Sequence, residues 1–449
     1  MNNRRIAFLL AFFIAIGVLV AIVSSYALRP AEVKRESRKR MRIASGSMAP
    51  TFVGQHFASV CDDCKFTIRG DAQTSSSILV CPNCSFRHES WDSRPVDGEK
   101  VSVDLTAYTN EPPQRWDTIA FRQPGEEDTW AVKRIVGLPG ERITIKNGDV
   151  YADNQILRKP LDLAMKMAIL VHDSKFPASS AERRWRPAGE ETDWNLEDNV
   201  FKIDVGKGPT AEELEEIKRS GINDNELQYH NWRCVESPSP RDEDAPIRDS
   251  YGYNHAVSRP LNDARDIYLL ADMKMNDDAH LGILVSDLVD FAALTLDTNQ
   301  TLATVKGVNK LLAERRSQLI NGERISLAFG LLDQRVFVAI NGSVLIDQPF
   351  EPRTRGIKHR LRSPYHLRLS MSRGSITLHR LRVYRDIHYL GANGLARQWR
   401  SEKPIAVDTF FVLGDNPPIS RDSRDSTYGL IPLNDVLGKT TRLRISGPK

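Results

Sequence analysis

The sequence predicts a mainly β protein with one membrane-spanning helix near its amino terminus, a large inserted β-sandwich and a small cysteine-rich module. Three observations predict this fold class. Short runs rich in β-branched and aromatic residues, separated by turn pairs such as Pro-Gly and Asn-Gly, recur along most of the 449 residues. One long apolar run stands near the start, and two Cys-x-x-Cys pairs follow it. The chain is long enough for about three domains of roughly 150 residues each.

The composition excludes several classes of protein. Hydrophobic residues make up 41% of the chain, charged residues make up 27%, and the mean hydropathy is −0.39. This balance is typical of a chain that is mostly folded and water-soluble. It differs from the balance of a multi-span transporter or a low-complexity chain.

The positive charge is concentrated at one end of the chain. The net charge is +4, but residues 1–42 contain nine Lys or Arg and only two Glu, a balance of +7 that leaves −3 for residues 43–449. The body of the protein is therefore not basic, and we expect no nucleic-acid partner. The basic segment 29–42 lies beside the apolar run, where it is expected to attract anionic membrane lipids.

The apolar run at residues 6–28 is predicted to be a transmembrane anchor, preceded by a short cytoplasmic segment, residues 1–5. A helix of this length extends about 34 Å, which is enough to cross the hydrocarbon core of a bilayer. A cleaved secretory signal is the alternative. Its apolar part would span only about 7–15 residues, so we favour the uncleaved anchor.

The first β-rich part follows the anchor. Segment 45–51 reads Ser-Gly-Ser-Met-Ala-Pro-Thr and is predicted to be a turn, because its Gly and Pro disfavour a helix. Short β-branched runs then predict a compact meander. Its predicted strands lie at 100–105, 118–121, 129–136, 142–145 and 149–152.

Residues 161–392 are predicted to form an inserted antiparallel β-sandwich of the jelly-roll type, because strand-like runs alternate with hairpin turns at even spacing. The predicted strands lie at 266–275, 280–284, 324–331, 335–340, 343–347, 365–371 and 375–384. The pattern resembles concanavalin-like and laminin-G domains. This resemblance implies a carbohydrate or protein ligand, and a spacer that binds nothing is the alternative.

Three short segments contain candidate catalytic residues. The first is the 45–51 turn with Ser47, and the second is the strand with Lys133. The third is a Gly-Asp-Asn sequence at 414–416, which is followed by Ser-Arg-Asp-Ser-Arg at 420–424. A single exposed serine or lysine is usually inert, so each segment alone is a weak signal.

The three segments follow a predicted anchor, and the sequence Arg-Trp-Asp-Thr-Ile-Ala-Phe stands between the first two at 115–121. In this order, the segments resemble those of the type I signal peptidases, the peptidase S26-like family. The resemblance covers roughly 150 of the 449 residues. It implies a β-barrel core built from residues 43–53, 98–160 and 393–449.

The resemblance implies a Ser/Lys dyad with Ser47 as the nucleophile and Lys133 as the general base. A free lysine has a pKa of about 10.4, so burial must lower that value before the amine can accept a proton at neutral pH. The backbone N–H of Ser47 and the hydroxyl of Ser45 are expected to form the oxyanion hole. Ser420 is expected to orient the lysine. Catalysis of this type needs no cofactor.

The remaining residues of the carboxy-terminal loop are expected to support the dyad. Asp422 and Arg424 match the ion pair of the family, and Asp415 and Asn416 are predicted to form a turn. The loop departs from the family at 417–419, where Pro-Pro-Ile replaces polar residues. The path of this loop toward Lys133 is therefore expected to differ from the path in the family.

Residues 54–97 interrupt the peptidase pattern with two Cys-x-x-Cys pairs separated by 16 residues. This spacing predicts a zinc ribbon in which four thiolates bind one structural zinc ion. The four predicted ligands are Cys61, Cys64, Cys81 and Cys84. Two disulfides are the alternative, favoured in an oxidising compartment. Cys234 remains as a single buried or loop thiol.

By resemblance, the protein is a membrane-bound serine endopeptidase that removes N-terminal signal peptides from exported preproteins after small residues. We expect a single-pass protein of the cell membrane with its catalytic part outside the cytoplasm. The Lys and Arg count around residues 6–28 alone predicts the opposite orientation, but long domains cross membranes largely regardless of flanking charge. The alternatives are a membrane-anchored binding or scaffold protein with an inactive peptidase core, and a self-cleaving Ser/Lys protease.

Overall fold

The computed structural model describes residues 37–73, 78–89, 91, 94–126, 128–190, 192–208, 210, 212, 225–232, 243–276, 278–307, 310–316, 322–353 and 365–443. The predicted anchor at 6–28 and Cys234 lie outside these ranges. Among the described residues, no helix is both long and apolar enough to span a membrane. The prediction of a mainly β chain is confirmed.

β-Strands and one short α-helix are the main elements of the described part of the chain. The strands before residue 160 are β1 Arg38–Arg42, β2 His56–Val60, β3 Thr67–Asp71, β4 Leu79–Val80, β5 Arg87–His88, β6 Lys100–Asp104, β7 Thr118–Arg122, β8 Trp130–Gly137, β9 Ile143–Lys146, β10 Asp149–Ala152 and β11 Gln155–Ile156. Helix α1 is Leu161–Met167.

The strands from residue 169 onward complete the fold. They are β12 Ile169–Asp173, β13 Trp185–Pro187, β14 Asn195–Glu197, β15 Val200–Asp204, β16 Glu226–Tyr229, β17 Ile267–Met275, β18 His280–Ser286, β19 Phe291–Asp297, β20 Leu302–Gly307, β21 Lys310–Arg316, β22 Arg324–Leu332, β23 Arg335–Ile340, β24 Ser343–Pro349, β25 Leu367–Arg373, β26 Ser375–Arg385, β27 Gln398–Arg400, β28 Thr409–Leu413, β29 Ile431–Pro432 and β30 Val436–Arg442. Three 3₁₀ helices occur at Gly46–Met48, Gly252–Asn254 and Leu433–Asp435.

A seven-stranded antiparallel sheet joins the first and last parts of the described chain. Its strand order is β1-β6-β30-β7-β8-β28-β29. Strand β30 lies between β6 and β7, and Val412 of β28 pairs with Ile135 of β8. This pairing brings the loop that follows β28 beside β8, the strand that carries Lys133.

A second, four-stranded sheet in the order β11-β10-β9-β27 packs against the first. Ile143 and Ile145 of β9 share a buried cluster with Phe411 and Leu413 of β28. The two sheets therefore enclose one apolar core around the strands that position the candidate site. Burial of this core is the main force that holds the strands together.

Two further sheets face each other across the largest apolar core. One has the order β14-β15-β26-β17-β22-β23-β24, with β12 also paired to β26, and the other has the order β13-β16-β25-β18-β19-β20-β21. Leu269, Leu294, Phe329 and Leu369 are fully buried between them. Strands occur at all seven predicted sandwich positions. The other strands of these two sheets, β12 to β16 and β19 to β21, have no counterpart among the predicted strands.

Asn341 and Gly342 form the turn that connects β23 and β24. The backbone φ angles are 50° at Asn341 and 81° at Gly342. Both values lie in the left-handed region, which Asn and Gly adopt more readily than other residues. The Asn-Gly pair therefore fixes the position of this hairpin.

The cysteine-rich module consists of the hairpins β2–β3 and β4–β5. It docks on the sandwich part of the chain through polar contacts. The Asn83 side chain donates to the carbonyl of Phe176 and accepts from the N–H of Asp173, both at 2.7 Å. Asp63 accepts a 2.8 Å hydrogen bond from the N–H of Ser179. These contacts make the module part of the folded body.

Candidate active site

The turn that carries Ser47 is anchored by its buried neighbours. Met48 is 1% exposed and packs with Ile43, Phe52 and Val101, while Ser47 itself is only half-buried. The N–H of residue 49 donates to the carbonyl of residue 46 at 3.0 Å, which closes the single 3₁₀ turn. Apolar packing on both sides of the serine therefore fixes the backbone while the hydroxyl remains accessible.

Ser45 and Ser47 lie side by side at this turn. The hydroxyl of Ser45 donates to Oγ of Ser47 at 3.2 Å. The predicted oxyanion hole requires a hydroxyl and a backbone N–H close to the nucleophile. Of these two groups, the Ser45 hydroxyl lies within hydrogen-bond distance of Oγ of Ser47, the candidate nucleophile.

Lys133 lies in the middle of β8 and is only 4% exposed. Its Nζ donates to Oγ of Ser420 at 3.1 Å. Burial lowers the pKa of the Lys133 amine from its usual value near 10.5 to about 8, while Asp422 raises it and Arg424 lowers it. A substantial fraction of this amine is therefore neutral near pH 8, as a general base requires.

Asp422 organises the loop that faces Lys133. Its carboxylate accepts hydrogen bonds from Oγ of Ser420 at 2.7 Å and from the N–H of Gly414 at 2.9 Å. It also forms a two-point ion pair with Arg424, with both N–O distances at 2.7 Å. The guanidinium thereby offsets the carboxylate charge that would otherwise keep the lysine protonated.

The same loop holds the serine turn. The N–H of Asn416 donates to the carbonyl of Ser47 at 3.0 Å, and its side-chain amide donates to the carbonyl of Gly46 at 3.1 Å. A Cβ atom on Gly414 would lie 2.5 Å from the Ser47 carbonyl oxygen and would also clash with Oγ of Ser420. Glycine at this position therefore permits the close approach of the turn to the loop.

Ser47 and Lys133 thus both contact the loop that follows β28. In the part of the chain described, the two side chains form no direct hydrogen bond: Nζ of Lys133 donates to Ser420, and Oγ of Ser47 accepts from Ser45. Catalytic hydrogen bonds are often long without substrate and tighten when it binds. The arrangement provides a buried amine, an accessible hydroxyl and a third group that holds the amine.

Sequence reasoning missed a second buried ion pair behind the turn. Arg134, the neighbour of Lys133 on β8, pairs with Asp415 at 2.9 and 2.6 Å. Asp415 also accepts a hydrogen bond from the hydroxyl of Thr51, at the end of the serine turn. Asp415 is therefore more than the turn former that the sequence predicted. The position of Arg134 directly after the candidate base was the available signal.

The four cysteines of the ribbon module form a compact, buried group. None of the four forms a disulfide, and their sulfur atoms lie within 4.8 Å of one another. The Cys61–Cys84 and Cys64–Cys81 sulfur distances are both 3.6 Å. A tetrahedral zinc ion with Zn–S bonds of about 2.3 Å requires S–S distances near 3.8 Å. The donor set is therefore compatible with a structural zinc, while these sulfur distances are too long for disulfide bonds.

The solved structures that resemble this chain share little sequence identity with it and have low TM-scores. A galectin-like protein of unknown function from Bacillus subtilis has 8% sequence identity and a TM-score of 0.29, and covers 49% of this chain and 97% of its own. A carbohydrate-binding module from Bacillus subtilis has 7% identity and a TM-score of 0.23, and covers 45% of this chain and 93% of its own.

Two curated bacterial proteins show low sequence similarity to part of the chain. Signal peptidase IB of Staphylococcus aureus is 28% identical over 83 residues, which is 18% of this chain and 42% of that protein. Signal peptidase I of Bacillus caldolyticus is 34% identical over 73 residues, which is 16% of this chain and 39% of that protein. The chain therefore spans about two fifths of the length of these curated relatives.

The family model described as signal peptidase, peptidase S26, matches residues 74–200 and 372–444. Lys133 and Ser420 lie within the matched ranges, whereas Ser47 precedes them. The ranges matched by the family model include β8, which carries the buried Lys133, and β28, which precedes the loop with Ser420. Over these ranges the chain is similar to the peptidase S26 family.

Proposed function

We propose that this protein is a membrane-bound serine endopeptidase of the signal peptidase I type, which removes N-terminal signal peptides from exported preproteins. One observation supports the proposal above all others. Lys133 is a buried amine with a lowered pKa, and its hydrogen-bond partner Ser420 belongs to the loop that also holds the Ser47 turn. Buried lysines are rare, and a lowered pKa suits a general base.

In the proposed reaction, Oγ of Ser47 attacks the scissile carbonyl while neutral Lys133 accepts the hydroxyl proton. The carbonyl oxygen becomes an oxyanion, stabilised by the Ser45 hydroxyl and the Ser47 N–H. Collapse of this intermediate breaks the C–N bond, and Lys133 returns its proton to the leaving amine. Water then attacks the acyl-enzyme with Lys133 again acting as the base, which regenerates free Ser47.

The supporting groups act through Lys133. Oγ of Ser420 accepts a hydrogen bond from Nζ of Lys133, and the same hydroxyl donates a hydrogen bond to Asp422. Ser420 thereby fixes the orientation of the Lys133 amine. Arg424 offsets the charge of Asp422 and also donates to the Leu390 carbonyl at 2.9 Å. We assign Ser420, Asp422 and Arg424 to positioning and not to proton transfer.

We further propose that residues 6–28 anchor the protein once in the cell membrane and that the catalytic part lies outside the cytoplasm. The length of the apolar run and the resemblance to signal peptidases support this location. Protease treatment of intact cells tests it. The carboxy-terminal region should be degraded before the membrane is opened, and protection until lysis would contradict the proposed orientation.

The ribbon module is proposed to hold one structural zinc ion through Cys61, Cys64, Cys81 and Cys84. Four thiolates leave no open coordination position, so the ion would stabilise the module and take no part in peptide cleavage. The buried sulfur cluster supports this assignment.

The sandwich is proposed to bind a carbohydrate in a groove of about 810 Å³. Half-buried Phe291 and Phe350 provide apolar surface, and Asp290 and Arg353 provide polar groups in the same groove. Apolar faces beside a few fixed polar groups are typical of small-molecule sites. Glycan-array binding by wild type, lost in Phe350→Ala, would support this role. Capture of only protein ligands, or no binding, would contradict it.

The peptidase proposal is tested with detergent-solubilised enzyme and a labelled preprotein. Ser47→Ala should abolish cleavage, and Lys133→Met should lower kcat by at least about 10²–10⁴-fold, because each removes an essential group. The matched controls are Ser343→Ala and Lys166→Met at exposed positions, which should cleave like wild type. Cleavage by wild type after a small-x-small sequence is the expected result. An inactive wild type, or active Ser47→Ala and Lys133→Met variants, would reject the dyad.

A further inference from the structure

A short segment of the inserted part of the chain lies directly on the serine turn. It contains the 3₁₀ helix Gly252–Asn254, more than 200 positions after the turn in sequence. A Cβ atom on Gly46 would clash with Cε1 of Tyr253, and Tyr253 shares a buried cluster with Ala49 and Val53. The tyrosine ring therefore packs against the backbone on one side of Ser47.

Asn254 continues this contact with two hydrogen bonds. Its side-chain amide donates to Oδ1 of Asn416 at 2.7 Å and accepts from Nδ2 of Asn416 at 2.8 Å. Asn254 is 6% exposed and Asn416 is 1% exposed. The two side-chain amides therefore provide each other's hydrogen-bond partners away from water. Removal of the Asn254 amide would leave the buried Oδ1 of Asn416 without this donor.

Asn416 is the residue that holds the serine turn from the loop side. Its backbone N–H donates to the carbonyl of Ser47, and the second N–H of its side chain donates to the carbonyl of Gly46. The orientation of the Asn416 amide thus determines where the carbonyl of Gly46 is held. Asn254 fixes that orientation because it bonds both Oδ1 and Nδ2 of the Asn416 side chain.

We propose that Asn254 is a positioning residue for the nucleophile, acting through Asn416 on the serine turn, so that the inserted part of the chain completes the active site. The inference rests on the peptidase function proposed above. Small displacements of a nucleophile cost large factors in rate, because attack requires near-contact geometry. The insert would therefore be needed for full activity even when it binds no ligand of its own.

The experiment compares wild type, Asn254→Ala and Asn262→Ala in the full chain. Asn262 is the matched control, because it is 7% exposed and its buried side chain donates to Asp249 within the same inserted segment. Hydrogen exchange of the backbone N–H groups in residues 44–52 reports the order of the serine turn without requiring cleavage. The kcat and KM for a labelled preprotein report the effect on the reaction.

Asn254→Ala should accelerate exchange in 44–52 by about tenfold and lower kcat by about tenfold or more, with KM within about twofold of wild type. The midpoint of the pH–rate profile should stay near that of wild type, because Asn254 does not contact Lys133. Asn262→Ala should change neither exchange in 44–52 nor kcat, even where it lowers the unfolding temperature by the same amount.

A double-mutant cycle with Asn416→Ala tests the route of action. If Asn254 acts through Asn416, the double variant should be no slower than Asn416→Ala alone. Multiplicative effects of the two substitutions, or unchanged exchange in Asn254→Ala, would overturn the inference. A wild type that cleaves no preprotein, combined with faster exchange in Asn254→Ala, would reject the peptidase function and still support the positioning contact.

Discussion

Arg134 and Asp415 form a two-point ion pair in which the arginine side chain is 2% exposed and the aspartate is fully buried. The guanidinium of Arg134 also donates to the carbonyl of Trp116 at 2.8 Å, while the carboxylate accepts from the hydroxyl of Thr51. One ion pair thus joins β8, the carboxy-terminal loop and the end of the serine turn. A buried ion pair is costly to break from one side, because the remaining charge has no compensation.

We therefore expect Asp415→Ala to destabilise the protein by about 3–5 kcal/mol, because Arg134 would stay buried without its counter-charge. The same variant should lower kcat, because the Thr51 hydroxyl at the end of the serine turn would have no carboxylate to bind. The free energy of unfolding, measured with denaturant, checks the first effect. Asp162→Ala is the control, because it removes the exposed pair with Lys166 and should cost no more than about 0.5 kcal/mol. A loss below about 1 kcal/mol for Asp415→Ala would contradict the assigned role.

The pKa of Lys133 predicts the pH dependence of cleavage. The base must be neutral, so kcat/KM should rise about tenfold per pH unit on the acid side and level off above a midpoint near the lysine pKa of about 8. Stopped assays of the labelled preprotein between pH 6 and 10 measure the midpoint. A profile that is flat across this range would exclude Lys133 as the titrating base.

The carboxylate of Asp422 should shift that midpoint in a known direction. Because Asp422 raises the pKa of Lys133, Asp422→Asn should move the midpoint to lower pH while it lowers kcat through the disturbed Ser420 contact. Asp425→Asn, in the same loop but away from the lysine, should leave the midpoint unchanged. A shift of the midpoint to higher pH in Asp422→Asn would show that the electrostatic assignment is wrong.

Removal of the proposed zinc should weaken the contact between the ribbon module and the inserted segment. Pro82, between two of the cysteines, packs on Gly252, and the ring of Phe57 contacts His255 at 4.8 Å. We expect one zinc per chain by elemental analysis, and a lower unfolding temperature after chelation. Cys81→Ser should lose the metal.

Cys234→Ser serves as the control for this experiment, because Cys234 stands outside the two Cys-x-x-Cys pairs of the sequence and its loss should leave the metal content unchanged. Wild type without zinc, or with an unfolding temperature that chelation does not change, would contradict the structural metal.

The strand pattern was largely readable from the sequence, and its failures have a physical cause. Strand β21 has the sequence Lys-Leu-Leu-Ala-Glu-Arg-Arg, which contains good helix formers and no β-branched residue. It is a strand because β20 pairs with it along its length. Tertiary pairing of this kind overrides local propensity, and single-sequence reasoning does not detect it.

The candidate site was readable only in part for a similar reason. Ser47, Lys133 and Ser420 stand in short motifs whose order carries a family resemblance. The contact between Asn254 and Asn416 joins residues 162 positions apart and depends on the packing of the insert. Neither asparagine stands in a pattern that indicates this partner, so the pair becomes visible only in three dimensions.

A third buried charge cluster connects the first part of the chain to the sandwich. Nζ of Lys159 lies 2.5 Å from Asp333 and 2.8 Å from Asp386, and all three side chains are at most 5% exposed. Burial alone would lower the pKa of Lys159, but Asp333 and Asp386 raise it well above its usual value. Burial raises the pKa of Asp386. The lysine therefore compensates two carboxylates that would otherwise be costly to bury.

Lys159→Met should destabilise the protein by about 3–5 kcal/mol at pH 7.5, because Asp386 loses its counter-charge and Asp333 keeps only the 3.8 Å ion pair with Arg335. Because the pKa of Asp386 is raised, this carboxyl binds more protons in the folded than in the unfolded state, so stability should recover as pH falls toward 5. Denaturant unfolding at both pH values measures this, with the exposed Lys166→Met as control. An equal loss at both pH values would mean that poorer packing, and not uncompensated charge, explains the destabilisation.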